Sequence, residues 1–249
     1  MFKKIVLGLL VLSSFALAEV INIAVAANVS YAIPQLKKEF NKAYPETEVR
    51  VTLGSSGKLT AQIKNGAPYG LFMAANMKYP KALHVDKIAI TKPVIYAQGS
   101  LAMLSNKKQD FTKGIELAKE ASINKIAIAN PKTAPYGKAA VEAFKNAKIY
   151  DSTKDKLVYA ESISQTVAYT ITATDLGFIA KSSLYSPKMA KFKKNINWVD
   201  VNPKLYTPIN QGIVILKNGE NTKGVKDFYD FILGQKARKI FESYGYLVP

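Results

Sequence analysis

Four polar stretches concentrate the hydrogen-bond donors of this chain: Asn28 to Ser30, Gly54 to Gly57, Asn130 to Gly137 with Tyr136 inside it, and Glu161 to Ser164. Each lies between an apolar run and a run with helical spacing, so each is read as leading into a helix. First-turn N–H groups have no partner inside a helix, and the peptide dipoles there favour negative charge. The hydroxyls of Ser55, Ser56 and Tyr136 add donors, and only Glu161, at the edge of the last stretch, brings an acid. A site rich in donors and poor in acceptors suits an anion that carries no proton at neutral pH, such as molybdate, tungstate or sulfate. Hydrogen phosphate would leave its own O–H without an acceptor. Ser, Asn and Gly are also ordinary helix caps, so one stretch alone carries little and the weight rests on all of them together.

Side-chain catalysis usually needs an imidazole, a thiol or paired carboxylates, and the chain has one His and no Cys. His84, between Leu83 and Val85 on a helix-like stretch, reads as a packing or surface residue, and a Cys/His zinc site cannot be built from one member. Asp227 and Asp230 share a solvated helix face, and no EF-hand, P-loop or GxGxxG spacing occurs. Neither an enzyme nor a cofactor is expected.

The formal charge is +17, which suggests nucleic acid, a membrane surface or an anionic solute. Of 35 basic residues only Arg50 and Arg238 are arginine, the residue whose fork reads guanine and grips phosphate. The lysines are spread along the chain, with Lys191, Lys193 and Lys194 the densest cluster. A solvated lysine surface that mildly attracts anions is the preferred reading, and no nucleic-acid partner is expected.

Residues 1–18 read as a sorting signal: Lys3 and Lys4 precede an apolar run that closes on Ala16-Leu17-Ala18. The run is interrupted by Ser13 and Ser14 and is shorter than the roughly 20 apolar residues that span a bilayer, so cleavage before Glu19 is expected rather than a membrane anchor. Without a cysteine there is no lipid attachment at that residue and no disulfide, and the periplasm is the natural destination. The remaining 231 residues carry +15 and exceed the roughly 100 to 150 typical of one domain.

The elements that must position the donors follow a repeated pattern. Ile21 to Ala26, Val49 to Leu53, Leu71 to Ala75, Lys125 to Ala129, Leu157 to Ala160 and Asn210 to Leu216 read as strands. Helix faces follow at Ile33, Leu36 and Phe40; at Leu59 and Ile63; at Ala140, Ala143, Phe144 and Ala147; at Val167 and Ile171; and at Val225, Phe228, Tyr229 and Ile232. Pro34 is tolerable only in a first turn, which puts that helix start near Ser30 with Asn28 or Ser30 as its cap. Alternation of this kind predicts an α/β fold of two lobes, each a mostly parallel sheet flanked by helices, with ligand beyond the strand carboxyl ends in the cleft between lobes. Residues 19–97 and 209–249 form lobe I and residues 98–208 lobe II.

The stretches Ile21-Asn22-Ile23-Ala24-Val25-Ala26-Ala27-Asn28, Gly54-Ser55-Ser56-Gly57-Lys58-Leu59, Gly66-Ala67-Pro68 and Pro135-Tyr136-Gly137-Lys138-Ala139-Ala140, with the tail from Val225 through Tyr246, resemble the periplasmic molybdate-binding proteins of ATP-driven importers, the ModA proteins. The resemblance implies a type II periplasmic-binding-protein fold and a monomer that delivers its anion to an inner-membrane permease. It assigns the oxyanion contacts to Asn28, Ser56, Tyr136 and the amide of Ile163, all through oxygens of molybdate or tungstate and none to the metal itself. The same fold holding sulfate or a carboxylate is the alternative. Three departures stand out: Asn28 where many relatives have Ser, Ala180 where a tyrosine is expected, and Gly70 and Asn76 in place of two aspartates. Tyr136 stands where relatives often have Ala and is placed to replace the hydroxyl missing at Ala180.

Overall fold

Strand β1, Glu19–Ala26, is an almost unbroken apolar run whose Ile21, Ile23, Ala24 and Val25 are buried, the pattern of a strand covered on both faces. The structure is a computed structural model that describes residues 19–249, so the expected sorting signal lies outside the described residues. β1 runs parallel to β2, Thr47–Gly54, on one side and to β3, Leu71–Ala74, on the other. Between β1 and β2 lies α1, Ile33–Asn41, which buries Ile33, Leu36 and Phe40 on one face. Helix α2, Ser56–Lys64, and α3, Lys78–Val85, follow β2 and β3. The sheet is completed by β4, Val94–Gly99, in the order β2-β1-β3-β10-β4, where β10 is Ile209–Ile215.

A second sheet has the order β7-β6-β8-β5-β9, from β5 Leu101–Leu104, β6 Ile126–Ala129, β7 Leu157–Ala160, β8 Leu176–Ala180 and β9 Trp198–Asp200. Its helices are α4, Pro135–Asn146, the single turn α5, Tyr150–Thr153, and α6, Ile163–Thr172. Ala140, Ala143 and Phe144 of α4 are fully buried, and Phe144 meets Phe178 of β8 edge to face at 4.5 Å between ring centres. The chain then returns to the first sheet and ends in α7, Lys223–Leu233, and α8, Gln235–Ser243, with Phe228 of α7 against Phe40 of α1 at 5.0 Å.

Both sheets are mixed. The expected parallel pairs are present, but β10 is antiparallel to β3 and β4, and β5 is antiparallel to β8 and β9. The antiparallel strands are those that enter or leave a sheet where the chain changes sheets, between Gly99 and Leu101 and again between Asp200 and Ile209. Two expected helix starts move. A tight 3-10 turn, Ala27–Val29, follows β1 directly, so α1 starts at Ile33 with Pro34 in its first turn, and neither Asn28 nor Ser30 caps it. Conversely α2 starts at Ser56, two residues before the expected Lys58, with Ser55 as the flanking residue in extended conformation.

Candidate functional site

Asn28 follows β1, Ser55 and Ser56 follow β2, Tyr136 stands in the first turn of α4 after β6, and Ile163 opens α6 after β7. All five line one small cavity between the two sheets that is partly open to solvent. Its remaining wall is Ala26, Ala27, Gly54, Ala75, Ala134 and Pro135, so among the described residues no charged side chain reaches it. An apolar wall lowers the local dielectric and strengthens each hydrogen bond made inside it. Asn28, Ser56 and Tyr136 are almost wholly buried.

The donors are set by helix geometry. Ser56 and Ile163 occupy first helical positions and Tyr136 a second one, where backbone N–H groups have no intrahelical acceptor. Ser56 Oγ accepts from the Ala75 N–H at 2.9 Å, which leaves its own proton free to donate. The Ser55 hydroxyl is buried and has no partner among the described residues. Ser162 caps α6 by accepting from the Gln165 N–H at 3.3 Å, so the Ile163 amide is held in place by its neighbour rather than by its own side chain.

Sequence reasoning missed the network behind the cavity. Gln211, inside the apolar strand β10, is fully buried. Asn28 Nδ2 donates to Gln211 Oε1 at 2.8 Å and to Tyr246 Oη at 3.1 Å. Tyr96 Oη donates to the same Gln211 oxygen at 2.7 Å, and Gln211 Nε2 donates to Tyr136 Oη at 3.2 Å. The available signal was an amide, Gln211, following Asn210 and leading into an apolar run suited to the core, since buried polar groups persist only when paired.

Several contacts tie the sheets together around the cavity. The Gly57 N–H donates to the Thr133 carbonyl at 2.8 Å, and Ser182 Oγ donates to the Asn28 carbonyl at 3.1 Å. Lys58 of α2 and Glu161, just before α6, form an ion pair of 2.7 Å, both about half exposed. Glu161, the one acid among the donor stretches, is thus turned to a lysine outside the cavity. Lys138 is exposed on α4, and His84 is half-buried on α3, away from the cavity lining. Asp227 and Asp230 pair with Lys223 and Lys226 one turn away.

Three buried tyrosines surround the Asn28–Gln211 pair, and burial pushes the hydroxyl pKa of Tyr96 and Tyr136 well above the ordinary 10, reinforced by neighbouring tyrosines. Tyr246 is pushed up to about 12, mainly by burial and against the opposing effect of its hydrogen bonds to Ser182 and Asn28. All three remain protonated donors through the neutral range. A group whose folded pKa is raised contributes stability that is intact below its unfolded value and is lost as pH climbs toward the folded one. Stability is therefore expected to fall above pH of about 10, by up to about 1.4 kcal/mol per pH unit for each tyrosine. Urea midpoints measured from pH 8 to 11.5 check this, and Tyr96→Phe should make the alkaline fall shallower.

The sequence departures have structural counterparts. Ala180 is buried at the end of β8 and is not part of the cavity wall, whereas Tyr136 is. A Cβ at Gly70 would stand 2.7 Å from Val225 Cγ2 and 3.2 Å from Gly219 Cα, so an acidic side chain has no room there. Asn76 Oδ1 accepts from the Tyr79 N–H at 3.4 Å, a role an aspartate could also fill.

Residues 21–247 match the bacterial extracellular solute-binding protein family. The molybdate-binding protein ModA of Azotobacter vinelandii is 33% identical over 244 residues, covering 97% of this chain and 95% of that one. ModA of Rhodobacter capsulatus is 34% identical over 229 residues, covering 90% and 86%. Among solved structures, the periplasmic molybdate-binding protein of Azotobacter vinelandii superposes with a TM-score of 0.84 at 30% identity, covering 92% of this chain and 99% of that one.

Proposed function

The chain belongs to the bacterial extracellular solute-binding protein family, with molybdate-binding ModA proteins among its relatives, and from that premise we propose that it captures molybdate or tungstate in the periplasm for an ABC importer. It is a binding protein and not an enzyme. Asn28, Ser56, Tyr136 and the Ile163 amide hold the oxyanion by neutral hydrogen bonds, with Ser55 as a further donor. The observation that carries this reading is that donors from both sheets meet in one cavity that, among the described residues, no charged side chain lines. A doubly charged, unprotonated ion gains from every such donor and needs no acceptor.

Residues 98–208 act as lobe II and swing against the rest of the chain. An anion that contacts both lobes binds the closed form more tightly than the open one, which is the bias that closure requires. The closed form docks on the inner-membrane permease as a monomer. Among the described residues no helix is long and apolar enough to cross a membrane.

Calorimetry of residues 19–249 against molybdate, tungstate, sulfate and phosphate tests the reading. Strong heats for molybdate and tungstate with weak ones for phosphate are expected, and absent heats for the first pair would reject it. A strong heat for sulfate alone would keep the fold and change the ligand. Ser56→Ala should weaken binding by about tenfold or more, the worth of one hydrogen bond to a charged group. Ser56→Ala should also lower stability by about 1 to 3 kcal/mol, because it strands the buried Ala75 N–H.

A further inference from the structure

Asn28 is fully buried and lines the cavity, yet its Oδ1 has no hydrogen-bond partner among the described residues. Its Nδ2 is spent on Gln211 Oε1 and Tyr246 Oη. In this arrangement the free end of the Asn28 amide is an acceptor, the wrong polarity for a deprotonated anion. Asn28 cannot turn over alone, because Oδ1 would then face Gln211 Oε1 across 2.8 Å with no proton between them.

The surrounding groups admit a second arrangement on the same heavy-atom positions. When Gln211 inverts as well, its Nε2 supplies one proton to Asn28 Oδ1 and the other to Tyr96 Oη, which is 2.7 Å away and can accept as well as donate. Tyr246 Oη now donates to the Asn28 carbonyl at 2.8 Å and is free to turn toward Oδ1, since Ser182 Oγ also serves that carbonyl at 3.1 Å. The contact of 3.2 Å between the Gln211 amide and Tyr136 Oη then has the hydroxyl as donor, so Tyr136 serves the ion through its first-turn N–H. Asn28 Nδ2 is released, with both protons available on the cavity side.

We propose that Gln211 is the positioning residue that sets the polarity of the Asn28 amide, and that arrival of a deprotonated oxyanion inverts the two amides as a pair. Gln211 never touches the ion; it determines whether Asn28 meets that ion with oxygen or with nitrogen. The inference rests on the reading of the cavity as an oxyanion site. It also gives Asn28 a dependence that a serine would not have, because a hydroxyl rotates its own proton and needs no second residue to present it.

The test is a double-mutant cycle read by tungstate affinity. Gln211→Met should weaken binding by about tenfold or more with Asn28 present, and by no more than about threefold in the Asn28→Ser background. Equal losses in both backgrounds would mean that Gln211 only supports the packing, and would overturn the proposal. On the unsubstituted protein, NMR couplings across the hydrogen bond should run from Asn28 Nδ2 to the Gln211 carbonyl carbon without ligand. With tungstate bound they should run from Gln211 Nε2 to the Asn28 carbonyl carbon, and an unchanged direction overturns the proposal even if the variants fail to fold. Failure of the unsubstituted protein to bind tungstate or molybdate is a separate outcome and rejects the oxyanion reading itself.

Discussion

Aspartate in place of Asn28 is expected to abolish oxyanion binding at pH 8 while leaving a folded protein. The two side chains have the same shape, so the tight wall around Asn28 is undisturbed. What changes is chemistry: the only N–H donors of the side chain are lost and two acceptors with a negative charge take their place. Facing a dianion in an apolar cavity, that charge should cost more than about 4 kcal/mol, roughly a thousandfold in affinity. Burial disfavours the ionised form, so the introduced carboxyl will titrate above the ordinary aspartate range. Its neutral form dominates as pH falls, and part of the affinity should return at about pH 5. Titration calorimetry at both pH values checks the loss and its direction; binding at pH 8 within tenfold of the unsubstituted protein would place the ion away from Asn28.

The second large effect concerns stability. A Cβ on Gly137 would overlap the carbonyl oxygen of Ala129 and stand 2.6 Å from its carbon, both backbone atoms of β6 that cannot rotate away. Helix α4 starts so close to the strand it follows that only a hydrogen fits between them. Gly137→Ala must therefore lift the first turn of α4, with Tyr136 in it, off the end of the second sheet. Overpacking against fixed backbone should cost about 3 kcal/mol or more, and lower the melting temperature by roughly 6 to 12 °C. Thermal unfolding by circular dichroism measures it, and a shift under about 2 °C would show that α4 slides without penalty.

What could be read in advance was what local pattern encodes. Strands such as Leu157–Ala160 announce themselves by composition, and helix faces such as Ile33, Leu36 and Phe40 by spacing. The strands that run against the parallel direction were harder. Leu101–Leu104 and Trp198–Asp200 are too short to show a period, and their direction follows from where the chain changes sheets. The four donor stretches could be read from their strand-to-helix junctions, and the resemblance to the ModA proteins then singled out Asn28, Ser56, Tyr136 and Ile163 within them. Gln211, Tyr96 and Tyr246 lie at no such junction, and converge on Asn28 only through contacts spanning up to 218 positions. The capping role expected of Asn28 failed for a related reason: the turn at Ala27–Val29 buries its amide against that network.

The placement of β10 has a consequence for the order in which the molecule can be built. This strand is the last of the first sheet to be synthesised, yet it lies between β3 and β4. All strands of the second sheet are contiguous in the chain and can pair as soon as Asp200 has emerged, whereas β4 stays detached from its sheet until residues 209–215 arrive. The amino-terminal half, though made first, is completed last. A nascent chain threaded through a membrane pore would thus meet little resistance from its leading end, and would consolidate only once its trailing end was free.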